Sequence, residues 1–294
     1  MRAMRAASPS FRRKPIAAVL VVLCLVLSGC TARFIYNRLD TVATWYFQSL
    51  VSLNDAQRSE LRAWLERTLA WHRESELERY AAFVQDVSLA VRQPASRATF
   101  ESIRQRFSGL IDTLVQKTAP EASELLLRLS PEQVDELLAN LEKRTEKSTK
   151  ESAETLANGK WQTKQVRDIV RQVKRWTGSI TPEQMKIIEG TVAELEPTYE
   201  DWAESQTAWR NALRDAIASA RTESDEQPVQ RVLAVLKDPD QYWTSDYAAK
   251  VARNGERYER MLLALDATLT TKQREHLRRE LDELAGTLIK LARN

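Results

Sequence analysis

The sequence predicts an all-α protein, and three observations carry that expectation. Apolar residues recur at spacings of three and four along most of the chain. Only seven glycines occur among 294 residues, too few for a succession of tight hairpins. No segment alternates apolar and polar residues up to a turn dipeptide, the mark of half-buried strands. The architecture expected is an elongated antiparallel helical bundle of roughly eight to ten helices.

The chain opens on Arg2, Arg5, Arg12, Arg13 and Lys14 with no acid among them, and Ile16 to Leu27 is then wholly apolar. This is a charged region followed by an apolar one that falls short of the ~20 residues a spanning helix needs. Leu27-Ser28-Gly29-Cys30 closes it. Small residues before a cysteine at that point read as a lipobox, with cleavage before Cys30 and diacylglycerol on its thiol. Residues 1–29 are therefore expected to be a lipoprotein signal peptide, and 30–294 a single elongated helical periplasmic body. Thr31, rather than an aspartate, follows the cysteine, which resembles lipoproteins sorted to the outer membrane. The expected attachment is to that membrane's periplasmic leaflet through lipidated Cys30.

Removing the segment takes five basic residues from 44 and leaves them just outnumbered by the 41 acids. The basic balance of the whole chain thus belongs to its first residues, and nucleic acid is not expected as a partner. Cys24 leaves as well, and Cys30 is consumed by lipid, so the body has no disulfide and must be stable by packing alone.

The first helix carries an apolar stripe of Ile35, Leu39, Val42, Tyr46 and Leu50, with Phe34 and Trp45 on another side beside Arg38. Contact with a second helix is the preferred reading of Phe34 and Trp45, the lipid interface the other. A long helix is expected from Asp55 to Val91, ended by Pro94. A third runs from Ser96 to Ala119, and Pro120 opens a short one. Pro131 to Trp176 is expected as one long helix, weakest at Asn158-Gly159, with Gly178 as its stop. Pro182 to Leu195 follows, and then a helix stacking Tyr199, Trp202, Trp209, Leu213 and Ile217. Gln227 to Lys237 is short and is broken at Asp238-Pro239-Asp240. Trp243, Tyr247, Val251, Tyr258, Met261, Leu265 and Leu269 form a seam that contains Asn254, a polar residue suited to fixing register. The last helix spaces Leu277, Leu281, Leu284, Leu288 and Leu291 on one face.

Four helix starts share a pattern: Leu53-Asn54-Asp55-Ala56-Gln57, Leu129-Ser130-Pro131-Glu132-Gln133, Ile180-Thr181-Pro182-Glu183-Gln184 and Leu269-Thr270-Thr271-Lys272-Gln273. Asn54, Ser130, Thr181 and Thr270 are expected to cap orphan amides, with Gln57, Gln133, Gln184 and Gln273 reaching back as capping boxes. Local capping suffices for every residue type in the pattern. The turns also resemble the Leu-Thr-x-x-Gln motif of periplasmic stress chaperones of the Spy and CpxP type, which implies a client-binding role. A wider resemblance rests on Tyr36-Asn37-Arg38-Leu39-Asp40, Trp45-Tyr46, Trp71-His72-Arg73 with Glu76-Leu77 and Tyr80, and Trp176-x-Gly178. Together with the turns these are similar to an uncharacterised family of proteobacterial lipoproteins, from which no activity follows.

His72 and His276 are the two histidines. His72 and Glu76 stand one helical turn apart, with Glu78 nearby, yet a zinc site needs more ligands than that pair supplies. The preferred reading places His72 among Trp71, Arg73 and Tyr80, hydrogen-bonded where helices meet. No phosphate loop, nucleophile elbow or His-Glu-x-x-His occurs, so no catalytic residue, metal or cofactor is expected. Lys160, Lys164, Arg167, Arg171 and Lys174 lie on one helix face at spacings of 4, 3, 4 and 3. That face suits anionic headgroups or an acidic client. The preferred alternative is a solvated stripe, or one paired with Glu194, Glu196, Glu200, Asp201 and Glu204 in the same chain. The function expected is non-enzymatic binding of an envelope protein or other envelope component, chaperone-like or adaptor. The alternatives are a hydrolase or metal-binding protein using His72 and nearby acids, or a structural spacer.

Overall fold

The computed structural model describes Tyr36, residues 38–222 and residues 227–293. The lipobox, Cys30 and the expected signal peptide lie outside these residues, as do Phe34 and Ile35. The described residues are all α. Helix α1 is Leu39–Gln48, and α2 (Asp55–Trp71) runs through a π turn (His72–Glu76) into α3 (Leu77–Ala90). Then come α4 (Arg97–Leu127), α5 (Pro131–Ala157), α6 (Trp161–Thr177), α7 (Pro182–Glu194) and α8 (Tyr199–Thr222). Helix α9 (Pro228–Lys237), a 3₁₀ turn (Pro239–Tyr242), α10 (Ser245–Ala267) and α11 (Thr271–Ala292) complete the chain. No helix among the described residues is long and apolar enough to cross a membrane.

Cross-helix bonds fix the directions. Arg67 meets Glu121 and Glu60 meets Arg128, so α2 and α4 are antiparallel. Ser88 donates to Asp282, and Arg274 donates to the Val91 carbonyl, so α3 and α11 also run opposite ways. Thr145 against Arg210 and Asp135 against Arg214 do the same for α5 and α8. One apolar core lies between α3, α4 and α11 around Leu77, Leu114 and Leu288. A second joins α5, α8 and α9 around Leu138, Leu213, Ile217 and Val232. A third sets Ile188 and Val192 of α7 against Met261 and Leu265 of α10. The last helix buries Leu281, Leu284, Leu288 and Leu291, as its spacing requires.

Four elements differ from the sequence expectation. Helix α1 is rotated about its axis: Leu39 and Leu50 are buried, but Val42 and Tyr46 are exposed. Tyr36 is bonded to His72 and Phe47 packs edge-on against Trp64, which turns a neighbouring face inward. The long second helix contains the π turn at His72–Glu76. Helix α4 continues through Pro120. Ala119 and Ser123 on either side of that proline are buried, and Ser123 Oγ donates to the Ala119 carbonyl, so packing keeps the chain helical across it. The expected helix from Pro131 to Trp176 is two helices. Gly159 adopts φ 65°, the Lys160 amide donates to the Thr155 carbonyl, and the Gly159 amide donates to the Leu156 carbonyl, which closes α5 in a Schellman turn.

Candidate functional site

The four capped starts are built as expected. Asn54, Ser130, Thr181 and Thr270 each accept a bond from the amide three residues on, and each glutamine returns the bond. They then do something that capping does not require: they pair. Gln57 Nε2 donates to Gln133 Oε1 at 2.8 Å, and Gln133 Nε2 donates to Gln57 Oε1 at 2.8 Å. Gln184 and Gln273 exchange the same two bonds, at 3.0 and 2.8 Å.

The remaining Nε2 hydrogens follow one rule. Each glutamine donates to the carbonyl two residues before its partner's cap. Gln57 reaches Arg128, Gln133 reaches Ser52, Gln184 reaches Thr268 and Gln273 reaches Ser179. Every carboxamide therefore fills two donor and two acceptor positions, all that the group has. This corrects the reading that capping explains every residue type. A capping box takes glutamate as readily as glutamine, whereas reciprocal pairing needs a donor. Glutamine stands at all four places in a chain with 41 acids. That was the signal available in the sequence, although which turn pairs with which was not. The two pairs differ in setting. Gln184 and Gln273 are fully buried, and Gln57 and Gln133 are half-buried.

The π turn gathers the second group. His72 is buried, its Nδ1 lies 2.9 Å from the Tyr36 hydroxyl, and its ring stacks on Tyr36 and meets Tyr80 edge-on. The Arg73 guanidinium lies over the Tyr36 ring. Burial pushes the imidazole down to about 4, so it is neutral near pH 7. Glu76 is also buried and takes an Arg79 bond on Oε1 at 2.7 Å. His72 Nε2 and Glu76 Oε2 have no hydrogen-bond partner among the described residues. Glu78 faces outward and is exposed. No group of three or more metal-ligating side chains occurs among the described residues.

His276 is far from this group in role. Its ring lies against Gly178, where an added Cβ would sit 3.3 Å from ring carbons, and Gly178 holds φ 74° to stop α6.

Lys160 at the start of α6 and Lys164, Arg167, Arg171 and Lys174 within it are all exposed. The acid-rich run is not their partner. Glu196 accepts from Arg253 and Arg257 of α10, Glu194 meets Arg260, and Asp201 meets Lys250. The two guanidiniums hold Glu196 down at about 2, and the two carboxylates around Lys250 push its ammonium up. Asn254 adds a clamp, accepting from the Glu196 amide and donating to the Glu196 carbonyl. On α6 itself Asp168 pairs with Lys164 and Arg171. Lys160, Arg167 and Lys174 have no ion pair among the described residues. The sequence placed the stripe correctly. The solvated reading of the stripe holds and the paired one does not: α6 packs on α7 through Val166, Ile169, Val170 and Val173, which leaves its basic face outward, while α10 takes the acids.

These features define a class: an all-helical protein in which four helix starts are joined in two pairs and one helix presents an exposed basic face. A family model matches residues 49–248, and the chain belongs to that family of unknown function, DUF6279. Three of the paired turns fall inside the match, and the turn at Thr270 lies beyond it. No curated protein and no solved structure matches the chain.

Proposed function

We propose that the chain is a periplasmic lipoprotein, held to the outer membrane by lipidated Cys30, that binds an anionic envelope component as an adaptor without chemistry of its own. The observation that carries the binding role is the basic face of α6. It is exposed over four helical turns, Asp168 pairs with two of its five cations, and the acid-rich run that begins at Glu194 is taken up by α10. Stripes of this kind hold anionic headgroups or acidic protein surfaces. The chaperone version loses one support, since the Leu-x-x-x-Gln turns spend their polar groups on one another. The lipobox behind a charged, apolar leader supports the address.

Two measurements test the reading. Cys30→Ala should abolish palmitate labelling and leave precursor unprocessed, and a labelled, normally processed variant refutes the anchor. A photocrosslinker at position 167 in intact cells should give adducts that disappear when Lys164 and Arg171 are both changed to Glu. Adducts that survive the reversal remove the basic face from the function. Suppression of client aggregation by the purified body would instead return the chaperone version to the front.

A further inference from the structure

We propose that α1 is a membrane-seating helix, its outer face of Val42, Trp45 and Tyr46 lying in the headgroup region of the bilayer. Trp45 is 69% exposed, Val42 49% and Tyr46 46%, three large apolar side chains within five residues. At 3.6 residues per turn these positions share about a third of the circumference of α1 with Arg38 and Ser49. The face cannot roll inward. The opposite side carries Thr44, which is buried, and Phe47, which packs edge-on against Trp64; just past the helix the Leu50 carbonyl accepts from Asn140 of α5, and Ser49 accepts from Arg144. Arg144 also lies 4.8 Å over the Tyr46 ring, so the apolar face carries a cationic rim.

Lipid fits this face better than protein does. Tryptophan, tyrosine and arginine join an apolar body to a polar or charged tip, which suits the boundary between acyl chains and headgroups. Three partly exposed side chains, at ~150–250 Å² for a whole aromatic, fall well short of the ~800 Å² per partner of a stable protein interface. The position in the chain agrees. Arg38 is eight residues after Cys30, a span of at most ~28 Å when extended. This inference rests on the lipid anchor proposed above: the anchor brings the chain to the bilayer, and α1 sets how the body sits on it. A seated helix would fix the orientation of the body, which a single flexible lipid tether does not.

The test uses the full chain in cells. A photo-reactive benzoylphenylalanine is placed at position 45 and, as a control, at the exposed position of Leu262 on α10, and palmitate incorporation is followed in parallel. The expected result is a palmitate-labelled protein that gives phospholipid adducts from position 45, several-fold above those from 262. A labelled protein that gives protein adducts, no adducts, or equal lipid adducts at both positions overturns the seating helix and leaves the anchor standing. A protein without palmitate overturns the anchor, and the seating proposal falls with it.

Discussion

Gln184 and Gln273 exchange two hydrogen bonds, Nε2 to Oε1 in each direction, and both side chains are completely buried. They bring the start of α7 against the start of α11, 89 residues further along the chain. Gln57 and Gln133 repeat the arrangement between α2 and α5. The same pair of four-bond carboxamides is thus used twice, to fix helix starts that local sequence alone would leave independent.

Removing one buried glutamine should strand its partner. Gln184→Ala should cost about 2–4 kcal/mol, from a lost cap bond and an unsatisfied buried amide on Gln273. Gln184→Glu should be at least as damaging, because it removes the donor and buries a charge. The double variant with Gln273→Ala should cost less than the sum of the singles. Urea midpoints measure all three, and strict additivity would show that the pair is not coupled. Gln57→Ala, in the half-buried pair, should cost less than Gln184→Ala.

The caps themselves are local. Ser130→Ala, Thr181→Ala and Thr270→Ala should each lower stability by ~1 kcal/mol. Each should leave crosslinking from the α6 face unchanged. A variant with an unaltered melting midpoint and lost crosslinking would give its turn a functional purpose beyond capping.

His72 predicts a pH dependence with a definite sign. Its folded value is depressed to about 4 from 6.5, so the unfolded chain binds more protons between those limits. Neutral His72 therefore contributes fully above about pH 6.5, and the contribution is lost as pH falls toward 4. For this buried ring the whole effect is of order 3 kcal/mol at 1.36 kcal/mol per unit. The buried Glu76 and neighbouring Arg73 face the same region and set the background. Comparing His72→Phe with the parent from pH 7 to 4 isolates the effect: the parent should lose stability more steeply. Parallel curves would refute the assignment.

Gly178→Ala should cost about 1–2 kcal/mol for the left-handed backbone, and more because the new methyl meets the His276 ring. Adding His276→Ala should restore the steric part and leave the backbone part. Thermal melts of the single and double variants separate the two.

The sequence by itself determined the helical class, most helix boundaries, the caps, the stop at Gly178 and the basic stripe. Each follows from periodicity or from bonds within one turn of chain, which a linear pattern carries completely. The same local logic misplaced what depends on neighbours. Pro120 reads as a break, but burial on both sides carries α4 through it. Val42 and Tyr46 read as core until Tyr36 and Phe47 choose a different face for α1. The α6 stripe reads as solvated or as paired with acids such as Glu194 and Glu196, and α10 decides between the two by claiming those acids. Tertiary structure alone decided the glutamine pairing, the π turn at His72 and the outward face of Trp45. In each case the deciding contact joins residues tens of positions apart or depends on packing against another element, and nothing in a short window of sequence records which distant helix will arrive there.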